Sequence, residues 1–295
     1  MGFAGSQSSA KVKAMTTRPA AVAGTWYPGS VGALSQEIAA YLAAAELPDV
    51  GDVQAVLAPH AGLMFSGPVG AYSYKAAARS SFEVIYVVGP SHFVGFDGIS
   101  VWPAGEFETP LGPARIHSGA AAEILADPIA HVLPLAHRRE HSIEMQLPFI
   151  RSLMPEVPIV PLLMGFQSRA TIQGLASVLA KSARGKRALL VASTDLSHYF
   201  EAAKAAALDG RVQECVRRFD PEGLLQLFEE YPEPERGRYV ACGGGPAISV
   251  MLAARELGAT QGRVLKYAHS GEVSGDYDGV VGYLAAAFGR FDNAH

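Results

Sequence analysis

The sequence predicts an α/β protein, a three-layer α/β/α sandwich whose central sheet is largely parallel or mixed. Short runs of β-branched residues alternate along the chain with longer segments rich in alanine and leucine. This pattern is typical of strands that alternate with helices. The 295 residues are 49% hydrophobic, which is enough to bury one large core. Because no fixed-period repeat or long linker interrupts the pattern, we expect a single domain.

Individual elements follow from local composition and length. We predict strands at residues 53–57, 84–88, 159–163, 188–192, 264–268 and 280–284. We predict helices at residues 31–45, 69–78, 118–126, 143–153, 170–182, 202–219, 221–230 and 246–257. Residues 231–238 contain two prolines and several charges, which indicates an exposed loop. We expect residues 1–17 to form a disordered tail and residues 18–290 to form the folded domain.

The overall composition argues against two classes of partner. Charged residues make up 18% of the chain and the formal net charge is −4, so no basic face is expected to bind nucleic acid. The apolar runs are far shorter than the roughly 18 residues that span a bilayer. With two cysteines and no recognisable secretory leader, the sequence favours a reducing, cytoplasmic location without a membrane partner.

Histidines follow three of the predicted strands. His60 comes after the run ending at residue 57, His92 after the run ending at residue 88, and His198 after the run ending at residue 192. In open α/β sheets, ligands bind outside the carboxyl ends of the strands. If the three strands are parallel, the three imidazoles lie at the same edge of the sheet.

Three further side chains are candidates near these histidines. His141 precedes a predicted helix, whose amino end favours a neutral imidazole or a bound anion. Glu144 could share a face with it, although acids in a first helical turn are commonly capping partners. Asp195 lies three residues before His198 and could orient that imidazole, or could cap the following helix.

Cys242 lies just before a glycine-rich helix start, Gly243-Gly244-Gly245. The helix dipole lowers a thiol pKa there, so this cysteine could be a nucleophile or a metal ligand, or else a buried and inert side chain. Cys215 falls inside an amphipathic segment and is expected in the core. Two imidazoles with one thiolate and an open fourth position would suit Fe²⁺, Zn²⁺ or Cu⁺.

Taken together, these motifs resemble the Memo family. The segments that carry the resemblance are residues 18–28, Pro59-His60-Ala61-Gly62, Gly89-Pro90-Ser91-His92, residues 140–148, residues 193–199 and Cys242-Gly243. They span about residues 18–288, and the chain is most similar to the bacterial type, protein B of the AmmeMemoRadiSam system. The resemblance implies an AMMECR1-domain protein and a radical SAM protein as partners, and a scaffold shared with class III extradiol dioxygenases.

The resemblance also implies a ligand set and catalytic roles. His60, His92 and Cys242 would hold the metal, with Fe²⁺ first and Cu⁺ or Zn²⁺ as alternatives. His198 would match the acid/base histidine of the dioxygenases, with Asp195 and His141 beside it. A thiolate here replaces the carboxylate of the dioxygenase triad, so ring cleavage does not follow from the resemblance.

Three functions are compatible with these residues. The first is an iron-dependent, dioxygenase-like oxidoreductase acting on a small, aromatic substrate. The second is a non-catalytic protein that handles a metal or redox state and binds partners. The third is a hydrolase that uses Cys242 or a zinc-bound water, which the glycine-rich surroundings of Cys242 favour least.

Overall fold

The computed structural model describes residues 17–48 and 50–291. Its strands are β1 (Thr17–Arg18), β2 (Asp52–Ala58), β3 (Val84–Pro90), β4 (Ile99–Val101), β5 (Glu106–Phe107), β6 (Ala114–Arg115), β7 (Ala130–His131), β8 (Ile159–Met164), β9 (Ala188–Ser193), β10 (His198–Phe200), β11 (Gln261–His269) and β12 (Val280–Arg290). Its α-helices are α1 (Val31–Ala44), α2 (Leu63–Ala77), α3 (Ser118–Leu125), α4 (Pro134–His137), α5 (Leu147–Leu153), α6 (Arg169–Ala183), α7 (Ala202–Arg217), α8 (Pro221–Glu229), α9 (Glu233–Tyr239), α10 (Gly244–Glu256) and α11 (Gly271–Ser274). A 3₁₀ turn, Glu144–Gln146, precedes α5.

The strands of the main sheet lie in the order β10-β12-β2-β9-β3-β8-β4-β7, and β11 pairs with β12. The four central strands β2, β9, β3 and β8 are parallel to one another, whereas β12 and β4 run antiparallel to their central neighbours. The predicted mixed sheet and the α/β class are therefore confirmed.

Burial explains why the central strands are continuous apolar runs. Every residue of β3 and β8 is buried, as expected for parallel strands covered by helices on both faces. On one side α2 packs on the sheet together with α1 and α5, and on the other side α10 packs on it together with α6 and α8. One large cluster of buried side chains joins these layers, so the chain forms a single domain.

Each predicted strand and helix overlaps an observed element, with differences at the ends. The largest differences are six residues each: β12 ends at Arg290 and not at residue 284, and α2 begins at Leu63 and not at residue 69. Pro68 is accommodated inside the helix. The first turn is held by hydrogen bonds from Leu63 N to the Trp26 carbonyl oxygen and from Ser66 Oγ to the Ala61 carbonyl oxygen, each 2.8 Å.

The prediction that residues 231–238 form a loop is wrong. These residues contain most of α9, none of whose side chains is fully buried. Proline fits the first turn of a helix, where its missing N–H costs nothing. Acidic Glu233 and Glu235 lie in the first turn and basic Arg236 and Arg238 in the last, an arrangement that complements the helix dipole.

Residues 1–16 of the predicted tail lie outside the described residues. Thr17 belongs to β1, which pairs with β5 in a small second sheet, β1-β5-β6. Within residues 17–48 and 50–291, no helix combines the length and apolar character needed to cross a membrane.

A buried ion pair fastens this amino-terminal segment to the domain. Arg18 is 1% exposed and contacts the carboxylate of Glu144, which is fully buried. Glu144 also accepts hydrogen bonds from the backbone N–H groups of Ala21 and Val22 and from the hydroxyl of Tyr27. Glu144 therefore anchors residues 18–27, which differs from both the capping role and the shared face with His141 that the sequence suggested.

We expect Glu144→Gln to lower the free energy of unfolding by about 3–5 kcal/mol, because it leaves the guanidinium of Arg18 buried without its counter-charge. Urea denaturation measures the change. Arg184→Ala is the matched control, since it breaks an exposed pair with Glu256 and should cost less than about 1 kcal/mol. Equal losses in the two variants would contradict an anchoring role for Glu144.

Candidate metal centre

The ends of three adjacent parallel strands bring the predicted residues together. His60 lies two residues after the end of β2, His92 two after β3, and Asp195 two after β9. Because β9 lies between β2 and β3, all three residues emerge at one edge of the sheet. The expectation that the strand-end histidines share an edge is confirmed for His60 and His92, and His198 returns to the same edge as the first residue of β10.

Cys242 reaches this edge through a close contact between two loops. A Cβ on Gly243 would lie 2.4 Å from the carbonyl oxygen of Ser193, so only glycine fits there. Gly243 N donates to Thr194 Oγ1 at 2.8 Å. As a result, Cys242 Sγ lies 3.2 Å from His60 Nε2 and accepts a hydrogen bond from Asp195 N at 3.4 Å.

One ligand atom from each of His60, His92 and Cys242 lies within 4.8 Å of the others. Two imidazole nitrogens and a sulfur at such separations can close around one ion of the kind that nitrogen and sulfur ligands bind. These three side chains therefore fit a mononuclear metal, and they leave further coordination positions to the pocket.

Hydrogen bonds determine which nitrogen of His60 faces the sulfur. Ser193 Oγ donates its proton to the Ser142 carbonyl oxygen at 2.6 Å and accepts from Gln146 Nε2 at 2.8 Å. The same oxygen lies 2.9 Å from His60 Nδ1 and has no second proton to donate. It must therefore accept a hydrogen bond there, so His60 Nδ1 carries a proton. His60 Nε2 is thus the ring nitrogen that faces Cys242 Sγ.

Glu140 orients His92 in the same way, and the sequence analysis missed it. Its Oε1 accepts from His92 Nδ1 at 2.9 Å, and its Oε2 accepts from the His92 backbone N–H at 2.6 Å. A carboxylate on the outer nitrogen of a histidine ligand is a common support of metal sites. His92 and Glu140 are 48 positions apart in the sequence, so no spacing pattern could reveal their contact.

A second group, His92, Glu140 and His141, also has close ligand atoms. Glu140 Oε1 already accepts the backbone N–H groups of His141 and Ser142, each at 2.9 Å, besides the His92 ring. Three N–H donors around one oxygen would repel a cation, so this group supports the neighbouring site and does not form a second one.

The three residues predicted as catalytic lie beside the ligands. His141 stacks on His92 with ring centroids 4.5 Å apart and contacts Trp26, whose ring centroid lies 4.3 Å away. The sequence suggested that Asp195 orients His198, but His198 Nδ1 bonds the Leu196 carbonyl oxygen at 2.7 Å. Asp195 Oδ1 instead accepts a hydrogen bond from the backbone N–H of His60 at 2.8 Å. Asp195 therefore holds in place the residues that follow β2.

Electrostatic interactions within the site favour a thiolate. Burial acts to raise the pKa of Cys242, but His60 and His92 outweigh it and lower this pKa to about 6. Burial acts to lower the pKa of His92, but Cys242 and Glu140 raise it to about 10. Burial, reinforced by His60 and His92, lowers the pKa of His141 to about 3, which keeps that ring neutral.

The ligands form the floor of a pocket of about 490 Å³. Its lining residues are Trp26, His60, Ala61, Gly62, His92, His141, Asp195, His198, Tyr199, Gly237, Arg238, Cys242 and Val281. Six of the seven candidates from the sequence analysis are among them, and the seventh, Glu144, anchors residues 18–27 instead. Cys215 lies elsewhere and is half-buried, so it packs against the core and is not part of it, contrary to the sequence prediction.

Comparison with known proteins gives consistent matches over nearly the whole chain. The family model described as Memo-like protein matches residues 18–287. A MEMO1 family protein of Nitrosopumilus maritimus is 34% identical, covering 92% of this chain and 99% of its own length. One from Thermotoga petrophila is 36% identical, covering 91% and 98%.

A solved structure supports the fold alone. The crystal structure of the uncharacterized protein JW3007 from Escherichia coli K12 is similar, with a TM-score of 0.53 and 14% sequence identity. The match covers 81% of this chain and all of that one.

We expect Cys242 of the metal-free protein to react with iodoacetamide at a rate that rises through pH 6, because the thiolate is the reactive form and predominates above that pKa. Mass spectrometry of the modified peptides measures the rate. Cys215 is the internal control, since burial raises its pKa and shifts its reaction to more alkaline pH. A midpoint near the ordinary thiol value of about 8.5 for Cys242 would rule out the stabilised thiolate.

Proposed function

Because this chain belongs to the Memo-like protein family, we propose that it binds one metal ion through His60, His92 and Cys242 and acts as a dioxygenase-like oxidoreductase on a small aromatic substrate. One observation carries the metal-binding part of the proposal. The outer Nδ1 atoms of both histidines are engaged by Ser193 and Glu140, which leaves each Nε2 for the ion. Such preorganisation is typical of histidine ligands.

Fe²⁺ is the proposed ion, with Cu⁺ and Zn²⁺ as alternatives. Imidazole binds all three, and a thiolate favours the softer ions. Three protein ligands at the floor of an open pocket leave positions for small molecules, a feature of catalytic and not of structural sites. Bound iron would supply the redox chemistry with O₂, and the surrounding side chains would control the substrate and its protons.

His198 is the proposed acid/base residue. Its Nδ1 faces the carbonyl oxygen of Leu196 and must carry a proton, so the neutral ring presents an unprotonated Nε2 as the base. Asp195 positions the His60 backbone and donates its N–H to Cys242 Sγ. The neutral ring of His141 and the exposed ring of Trp26, with centroids 4.3 Å apart, give the pocket an aromatic wall suited to an aromatic ligand.

A second candidate is a non-catalytic protein that handles a metal or redox state. The thiolate favours it, because Cys242 replaces the carboxylate of the dioxygenase triad and is itself oxidisable. AMMECR1-domain and radical SAM proteins are the partners proposed for either function, in the cytoplasm. A Cys- or Zn-dependent hydrolase rests on the 3.2 Å contact between Cys242 and His60 alone.

We expect anaerobically purified protein to contain about one iron per chain, and His60→Ala, His92→Ala and Cys242→Ser each to lose it. Elemental mass spectrometry measures the content. The matched controls are Cys215→Ser, outside the pocket, and His131→Ala, whose exposed ring bonds the Asp97 carbonyl oxygen. Metal retained in all three ligand variants would refute the ligand assignment.

We expect the iron-loaded protein to consume O₂ with catechols, and His198→Gln to slow this at least about 100-fold while keeping its iron, because the variant loses only the proton transfer. An oxygen electrode measures the uptake. Iron-loaded protein that consumes no O₂ with any catechol would instead support the non-catalytic candidate.

A further inference from the structure

Arg238 lies at the mouth of the metal pocket in an unusual setting. It belongs to the last turn of α9 and is exposed, yet its guanidinium carbon lies 4.9 Å from the ring centroid of Phe200 and 5.9 Å from that of Tyr239. Contacts of this kind hold a guanidinium in place over the rings and leave its N–H groups free to bind a ligand.

No carboxylate balances this cation in the part of the chain that the structure describes. Several other exposed arginines pair with acids, as Arg169 does with Glu229 and Arg255 with Glu222. Arg238 has no ion pair or hydrogen bond to a described residue. Lys204 lies 4.3 Å from the same Phe200 ring, so two cations crowd this aromatic surface in a protein whose net charge is −4. A bound anion would relieve their mutual repulsion.

The remaining pocket surface does not supply that anion. Asp195 is the one carboxylate among the lining residues, and its Oδ1 is occupied by the backbone N–H of His60. Trp26 and Tyr199, at other positions of the lining, offer exposed aromatic faces. The pocket thus combines a metal-type floor, aromatic walls and one unpaired guanidinium.

We propose that the pocket selects ligands with a flat apolar body and a carboxylate, and that Arg238 binds the carboxylate. The inference deepens the proposed function and rests on it, since it takes this pocket as the substrate site. Arg238 is the residue that determines specificity, because a guanidinium matches the two carboxylate oxygens with two parallel N–H donors. A carboxylate suits the site better than a phosphate, because only one guanidinium lines the pocket.

The test compares benzoate with benzamide, which has nearly the same shape and no charge. Nuclear magnetic resonance titration of the full chain gives both dissociation constants, once on metal-free protein and once on protein loaded with Zn²⁺. We expect benzoate to bind at least about tenfold more tightly than benzamide, in line with hydrogen bonds to a charged group. The benzoate affinity should also fall with added salt, which screens an exposed ion pair.

Variants assign the preference to Arg238. Arg238→Gln should abolish it, whereas Arg238→Lys keeps the charge and should retain part of it. Arg139→Gln is the matched control, because Arg139 is also exposed and lies over an aromatic ring, Phe93 at 5.5 Å, but does not line the pocket. Since α9 has no buried side chain and Arg139 is itself exposed, none of these substitutions should unfold the protein.

Several outcomes would overturn the inference. They are equal affinities for benzoate and benzamide, no measurable binding of benzoate, and a preference that survives Arg238→Gln in metal-free protein. A preference seen only with Zn²⁺ and unchanged in Arg238→Gln would mean that the ion itself binds the carboxylate. The metal-free arm separates this test from the proposed function, because failure of the ligand assignment would appear as missing metal and leave the effect of Arg238 measurable.

Discussion

The parallel pairing of β2, β9 and β3 is the constraint on which the candidate site depends. Three adjacent parallel strands must end at the same edge, and the residues two positions beyond their ends are His60, Asp195 and His92. Every other feature of the centre is arranged around these ends. Cys242 can lie beside these strand ends only because Gly243 has no side chain that would collide with the carbonyl oxygen of Ser193, the last residue of β9.

The side chains that orient the ligands come from distant parts of the chain. Residues 140–146 cross beneath the site and supply Glu140 to His92 and Gln146 to Ser193, which in turn holds His60. The same segment supplies Glu144 to the buried Arg18. One short segment thus connects the stability of the amino-terminal region to the geometry of the metal ligands. The hydrogen bond and charge of the His92 ring lower the pKa of the Glu140 carboxyl to about 2 despite its burial.

The electrostatic character of the pocket changes from its floor to its mouth. At the floor, Cys242 and two imidazoles form a set that favours a thiolate and a soft or borderline ion. At the wall, His141 stays neutral because its neighbours and its burial oppose a charge. At the mouth, Arg238 is the exposed cation. A ligand that spans these zones would meet the candidate metal ligands, aromatic surfaces and a positive charge.

The sequence by itself determined the α/β class, the central strands and the common edge at which His60 and His92 emerge, because strand composition and strand-end position are local properties that place side chains at a predictable edge. It also indicated that Cys242 differs from Cys215. Only the tertiary structure decided that Glu140 and Ser193 orient the histidines, that Asp195 holds His60 and not His198, and that Arg238 lies at the pocket on a helix where a loop was expected. These are contacts between residues up to 135 positions apart, as for His60 and Asp195. No periodicity or spacing records such contacts, since they arise only when the layers of the sandwich pack together.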